Sequence, residues 1–157
     1  MHHSKGPGVP FPPPFVFVLG FAVGALLQRV WPLPVIPGGR SAVALMLAWA
    51  LFLLGGGLVA WALSLFWRAR TAVMPNRPAS SLVLVGPYRF SRNPMYTGLT
   101  GMYLGLAFWL NALWPLLLLP LVLLLLWKAV IQNEERYLST AFGDSYADYC
   151  RRVRRWL

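Results

Sequence analysis

Residues 86–98 read Gly86-Pro87-Tyr88-Arg89-Phe90-Ser91-Arg92-Asn93-Pro94-Met95-Tyr96-Thr97-Gly98. Two arginines, two prolines, two tyrosines and an asparagine are gathered here between strongly apolar regions. Each proline biases the residue before it towards extended backbone. Gly86-Pro87 therefore predicts a turn, and Asn93-Pro94 predicts the start of a helix with Asn93 at its N-cap. A helix start offers free N–H groups and the positive end of a dipole, and Arg92 adds fixed charge beside it. The combination suits a small anionic group, a carboxylate or phosphate, held at a membrane surface. A basic loop facing lipid headgroups under the positive-inside rule would account for the same residues without a ligand.

Outward from this stretch, the composition belongs to a membrane protein of one domain. The 157 residues are 58% hydrophobic and 11% charged. The net charge is +10, with four acidic residues in all. The arginines flank apolar segments, which points to anionic lipid headgroups and topology and away from nucleic acid. His2 and His3 have no further ligands near them, so no metal is expected. The single cysteine, Cys150, rules out an intrachain disulfide. It reads as an inert side chain, with acylation in its basic surroundings as the other reading.

Apolar runs predict an all-α fold: an integral membrane bundle of four transmembrane helices with a C-terminal interfacial helix. The spans are expected at about 15–31, 41–67, 96–110 and 113–131, within one domain covering 1–157. A signal peptide is the competing reading of the first run, but the prolines before it and Arg29 at its end argue against that. Gly20 and Gly24 let a neighbouring helix approach. Gly55, Gly56 and Gly57 permit either close packing or a break beside a cavity. Gly98, Gly101 and Gly105 share one helical face, either a packing face or a clear path for a flat ligand. Pro120 predicts a kink. The polar stretch 68–81 and the apolar 80–85 read as a re-entrant or surface segment leading into a motif loop at 80–95. In the segment 132–157, Tyr146, Tyr149, Val153 and Trp156 recur at helical spacing beside four arginines, as in an interfacial amphipathic helix. With four spans, Lys5, the loop from Arg68 to Arg92, and the stretch from Lys128 to Arg155 fall on one side. Only Arg29 and Arg40 flank the other. That asymmetry predicts a cytoplasmic-membrane protein with both termini in the cytoplasm.

Glu134 and Glu135 are half of the chain's acidic residues. Adjacent on a helix, they point roughly 100° apart. An acid at a membrane boundary is costly unless paired, so ordinary pairing with Lys128 or Arg136 stands beside a ligand-binding role.

Gly86-Pro87-Tyr88, Arg92-Asn93-Pro94-Met95-Tyr96 and Gly98 are followed by Glu134-Glu135, Leu138, Phe142-Gly143, Tyr146 and Tyr149. This ordered pair of motifs resembles the integral-membrane methyltransferases related to isoprenylcysteine carboxyl methyltransferase and phospholipid N-methyltransferase. The likeness runs from Thr71 onward. It implies S-adenosyl-L-methionine as methyl donor and a lipophilic small molecule or lipid as acceptor at the bilayer. By resemblance, Ser80, Ser81, Leu82, Val83, Tyr88, Asn93, Pro94, Met95, Tyr96 and Glu134 match donor-binding positions, and Glu135 completes the acidic pair of the phospholipid enzymes. Arg92, read from its charge, joins them. Two departures stand out. The prenylcysteine enzymes have His-Pro where this chain has Asn93-Pro94. They also have a substrate-binding arginine where this chain has Val130, with Lys128 and Gln132 pointing elsewhere on the helix. An acceptor without a carboxylate is therefore expected. No side chain is an obvious general base. Two other readings remain: an NADPH-dependent enzyme like the sterol reductases, whose cores are larger, and a non-catalytic scaffold that binds anionic lipid.

Overall fold

A computed structural model describes residues 8, 11–71 and 80–156. His2, His3, Lys5 and the basic stretch around Arg77 lie outside the described residues. Among the described residues, five α-helices follow in order: α1 (Pro14–Val30), α2 (Ala42–Arg68), α3 (Pro94–Trp109), α4 (Leu113–Leu126) and α5 (Gln132–Arg152). A 3-10 turn at Gly86–Arg89 precedes α3, and a π-helical turn at Trp127–Ile131 joins α4 to α5.

Ser41 starts α2 by accepting from the Ala44 N–H at 3.2 Å. At 27 residues α2 reaches about 40 Å, more than the roughly 30 Å of a bilayer's hydrocarbon. The run Leu113–Arg152 also contains a stretch long and apolar enough to cross, and among the described residues these are the two that do. The 17 residues of α1 and 16 of α3 fall below the ~20 a crossing normally takes. Each short helix lies against a long one, α1 on α4 and α3 on α2. The all-helical expectation holds among the described residues, and two of the four expected spans have the length and apolarity to cross a membrane.

Glycines set these pairings. A Cβ on Gly55 would lie 2.5 Å from the Gly98 carbonyl, and one on Gly105 would lie 2.6 Å from the Ala48 carbonyl. The face shared by Gly98, Gly101 and Gly105 therefore packs against α2. A Cβ on Gly24 would meet the Pro115 backbone at 2.8 Å, so α1 does approach α4 closely. Helix α2 runs unbroken through its glycines, which settles packing over a break. Phe17, Tyr96, Tyr103, Leu119, Val122, Leu126, Val130 and Ile131 form the main core.

The connections at one end are tied together. Asn111, with φ 52°, turns the chain between α3 and α4. Its Oδ1 accepts from the Ile36 N–H at 2.8 Å and its Nδ2 donates to the Ile36 carbonyl at 3.1 Å. The Leu113 N–H donates to the Leu33 carbonyl at 3.0 Å, and Arg40 reaches the Trp109 carbonyl.

One expectation changes at the other end. The chain stays helical past residue 131, in keeping with Glu134 and Glu135 lying on a helix: no Gly or Pro interrupts it from Leu121 to Phe142, and the π turn carries it into α5. The aromatic stripe of the C-terminal segment, however, does not lie open for lipid. Gly143 leaves helical geometry at φ 50°, ψ −123° and redirects the chain. Tyr146, Tyr149 and Val153 are then buried among Leu82, Leu84, Leu138 and Phe142, while Trp156 packs on the main core. The protein itself supplies the apolar partner that the stripe requires.

Candidate functional site

The turn at Gly86, with φ 62°, packs against α2, where a Cβ would lie 2.7 Å from Leu65 Cδ1. The following 3-10 turn buries Pro87 and Tyr88. The Tyr88 ring meets Phe66 edge-on at 5.6 Å, and its backbone carbonyl accepts from the Tyr149 hydroxyl at 2.7 Å. Burial raises the Tyr88 phenol above its ordinary pKa, and the charges of Tyr149 and Glu134 add to this. The turn is thus held between α2 and the C-terminal segment.

Helix α3 begins at Pro94, as the sequence predicts, with Asn93 in the N-cap position. The side chain of Asn93 does not cap it. Its Nδ2 donates instead to the Arg155 carbonyl at 3.1 Å, and its own N–H donates to Ser91 Oγ at 3.1 Å. Pro94 has no N–H to offer, so the Met95 and Tyr96 N–H groups at this start have no side-chain cap.

In this same first turn, the Tyr96 hydroxyl donates to Glu134 Oε1 at 2.8 Å. This contact joins the two motifs across 38 positions of sequence. Glu134 is partly buried, three residues beyond the apolar run that ends at Ile131. Burial raises its carboxyl to about 7; the Tyr96 hydrogen bond opposes the shift and the Glu135 charge adds to it.

Glu135 faces another way. Arg155 clamps it with two hydrogen bonds of 2.9 Å, Nε to Oε1 and Nη2 to Oε2. Arg92 Nη1 lies 3.2 Å from Oε1 and also donates to Cys150 Sγ at 2.8 Å. Arg92 is thereby committed to Glu135 rather than standing free beside the helix start, and Lys128 and Arg136 are not the partners of the pair. An open cleft of about 640 Å³ borders this network, lined by Arg92, Gln132, Glu135, Arg136, Cys150 and Arg155 among others.

The remaining candidates sit apart. Ser80 is exposed and held by Thr71 Oγ1, which accepts from its N–H at 3.1 Å. Ser81, Leu82 and Val83 are half-buried, Leu82 against the Tyr146–Tyr149 cluster. Among the described residues no hydrogen bond links these four to the Tyr96–Glu134 pair. Val130 is fully buried in the core, so an arginine there would enter the core rather than a substrate site, and Val130→Arg is no test of acceptor charge. Sequence reading named Tyr149 in the second motif and the aromatic stripe without a partner for it, and did not single out Arg155 or Ser91. For Arg155 the signal was the imbalance of charge, many arginines for four acids; Ser91 and the Tyr149 contact carried no such signal.

A cobalt-zinc-cadmium resistance protein, CzcN, of Cupriavidus metallidurans is 38% identical over 78 residues. That match covers 49% of this chain and 35% of CzcN, so the chain spans about a third of that relative's length. The family model for phospholipid methyltransferase matches residues 43–145, which takes in α2, α3, α4, the turn at Gly86–Arg89 and both glutamates. With about two thirds of its length matched and the two motifs joined in one place, the chain belongs to the phospholipid methyltransferase family.

Proposed function

We propose that the protein transfers a methyl group from S-adenosylmethionine to a lipophilic acceptor at the cytoplasmic face of a membrane. The observation that carries this is the Tyr96–Glu134 hydrogen bond, which sets a carboxylate beside the start of α3. The donor's amino-acid end bears a carboxylate and an ammonium a few ångströms apart. The uncapped N–H groups of Met95 and Tyr96 suit the first and Glu134 suits the second or the ribose. The residues present fit the group on both counts. When bound, S-adenosylmethionine supplies a methyl carbon activated by its sulfonium for in-line displacement. What the chain contributes is alignment and exclusion of water: Tyr96 orients Glu134, and the buried Tyr88 closes the side towards α2. Ser80 to Val83 would complete the donor's surroundings by approach of the loop.

The acceptor in this reading is a lipid or lipid-like molecule, as the phospholipid methyltransferase family suggests. The basic residues put the motif end of the bundle in the cytoplasm. Reporter fusions at Gly38 and after Arg155 should give opposite sides, and a shared side would remove that assignment. Purified protein incubated with methyl-labelled donor and a lipid extract should yield a labelled, solvent-extractable product. Label that stays wholly with the donor, in protein that is folded, overturns the reading.

A further inference from the structure

The acidic pair is split by the helix that carries it. Glu134 turns to Tyr96, whereas both oxygens of Glu135 are engaged by arginines on its other side. The second arginine, Arg155, is 20 residues away and belongs to the segment that Gly143 folds back. Its neighbourhood also reaches the motif by its backbone. The Arg155 carbonyl accepts from Asn93 Nδ2 at 3.1 Å and from Ser91 Oγ at 3.3 Å, and the Arg154 carbonyl accepts from the Arg92 N–H at 2.9 Å. One residue further, Trp156 packs on the core cluster that contains Tyr96. Every polar contact at residues 91–93 except those within the motif runs to α5 or to the segment that follows it.

We infer that Arg155 and Glu135 form a clasp that positions the start of α3 for the donor, and that Glu135 acts through Arg155 and Arg92 instead of touching the donor. The inference rests on the donor site placed above at Tyr96 and Glu134. The clasp fixes Asn93, and with it the N–H groups that follow, from the far side. Its members are mostly shielded from water: the side chains of Arg92, Glu135 and Arg155 are 15%, 21% and 37% exposed. A bidentate, charge-assisted pair in that setting gives geometric definition as well as attraction.

The test is calorimetric titration of the detergent-solubilised full chain with S-adenosylhomocysteine, with thermal unfolding as the check on folding. Arg155→Ala and Glu135→Gln should each weaken binding about ten-fold, within the coupling expected inside one ion-pair network. The double variant should be no weaker than the worse single one. Both singles should keep the rise of affinity with pH that Glu134 confers. Arg155→Lys, which retains charge but not the fork, should fall in between, and it serves if Arg155→Ala does not fold. Wild-type affinity in folded Arg155→Ala overturns the clasp; so do additive losses in the double variant, which would make Glu135 a donor ligand. Glu134→Gln is run alongside. If it alone loses affinity, the donor site stands and the clasp falls. If the wild type binds no S-adenosylhomocysteine, both fall together.

Discussion

At one end of the bundle, Asn111 joins two loops through a neutral amide that both accepts from and donates to Ile36. At the other end, Glu135 is held between two guanidiniums while Glu134, its neighbour, has a phenol on one oxygen. Both ends close irregular backbone, yet they do so differently. At the neutral corner Asn111 satisfies both halves of its amide on one residue, which is the inexpensive solution for a structural corner. The charged end keeps a partly buried carboxylate whose pKa is raised, a costly arrangement at a membrane boundary. A cation from a ligand would remove that cost. The difference separates an end whose contacts serve the bundle from the end at which the donor site is proposed.

The seam between the ends carries the largest predicted effect. A side chain at Gly98 would meet the Gly55 carbonyl at 2.6 Å and Val59 Cγ2 at 2.7 Å. Overpacking of a core costs about 1–3 kcal/mol even where side chains can shift, and here one obstacle is backbone. Gly98→Leu should part α2 from α3 and abolish folding at both ends. Gly57→Leu, with no atom within 4 Å of its Cβ, should fold like the wild type. Size-exclusion and thermal unfolding in detergent would show this, and a normally folded Gly98→Leu would break the packing account.

Next comes the charged end. Truncating one member of a hydrogen-bonded charge pair typically costs about 2–5 kcal/mol, which at roughly 1.4 kcal/mol per tenfold is about thirty-fold or more. Glu134→Gln should lower S-adenosylhomocysteine affinity by that amount and leave the Asn111 end intact. Unchanged affinity in folded protein would make the two ends alike in kind and favour a non-catalytic scaffold.

How far the sequence announces these ends depends on whether the cause is local. Asn93-Pro94 starts α3 because a proline acts on its immediate neighbour, and the divergence of Glu134 from Glu135 follows from helical pitch alone. The role of Asn93 was not legible, since its partner, Arg155, lies 62 positions away and is brought near by the bend at Gly143. The π turn at Trp127–Ile131 was not legible either, since no residue there marks it. The buried stripe at Tyr146 and Tyr149 has the pattern of a lipid-facing one, because protein and lipid make the same demand on periodicity.

Asn111→Ala probes the neutral end. It removes both hydrogen bonds to Ile36 and places alanine at positive φ. Leaving buried partners unsatisfied costs about 1–3 kcal/mol, and about 2 kcal/mol of stability is the expected loss. Asn111→Gly should recover the conformational part and not the rest. Donor affinity should be unchanged in both. If the alanine variant binds the donor poorly, the ends are coupled and the division of labour fails.

The smallest effect comes from pH. Glu134 has a folded pKa raised to about 7 from 4.5. The folded state therefore holds this proton more tightly than the unfolded state does. As pH rises from 4.5 to 7 the unfolded chain ionises first, so the contribution of Glu134 to stability falls over that window and is level above it. Donor binding should run the other way, because the ammonium seeks the ionised carboxylate. Between pH 6 and pH 8 the ionised fraction rises about ten-fold, and affinity should follow by at most that factor, roughly 1.4 kcal/mol. Opposite slopes for stability and affinity in one protein are difficult to obtain from a group that only packs. Glu134→Gln should flatten both, while Asn111→Ala should lower stability uniformly and leave both slopes in place. Titrations at three pH values, paired with unfolding at the same three, would read all of this. A wild-type affinity that is flat across pH 6–8 would mean that Glu134 does not face the donor's cation, even if its replacement weakens binding for other reasons.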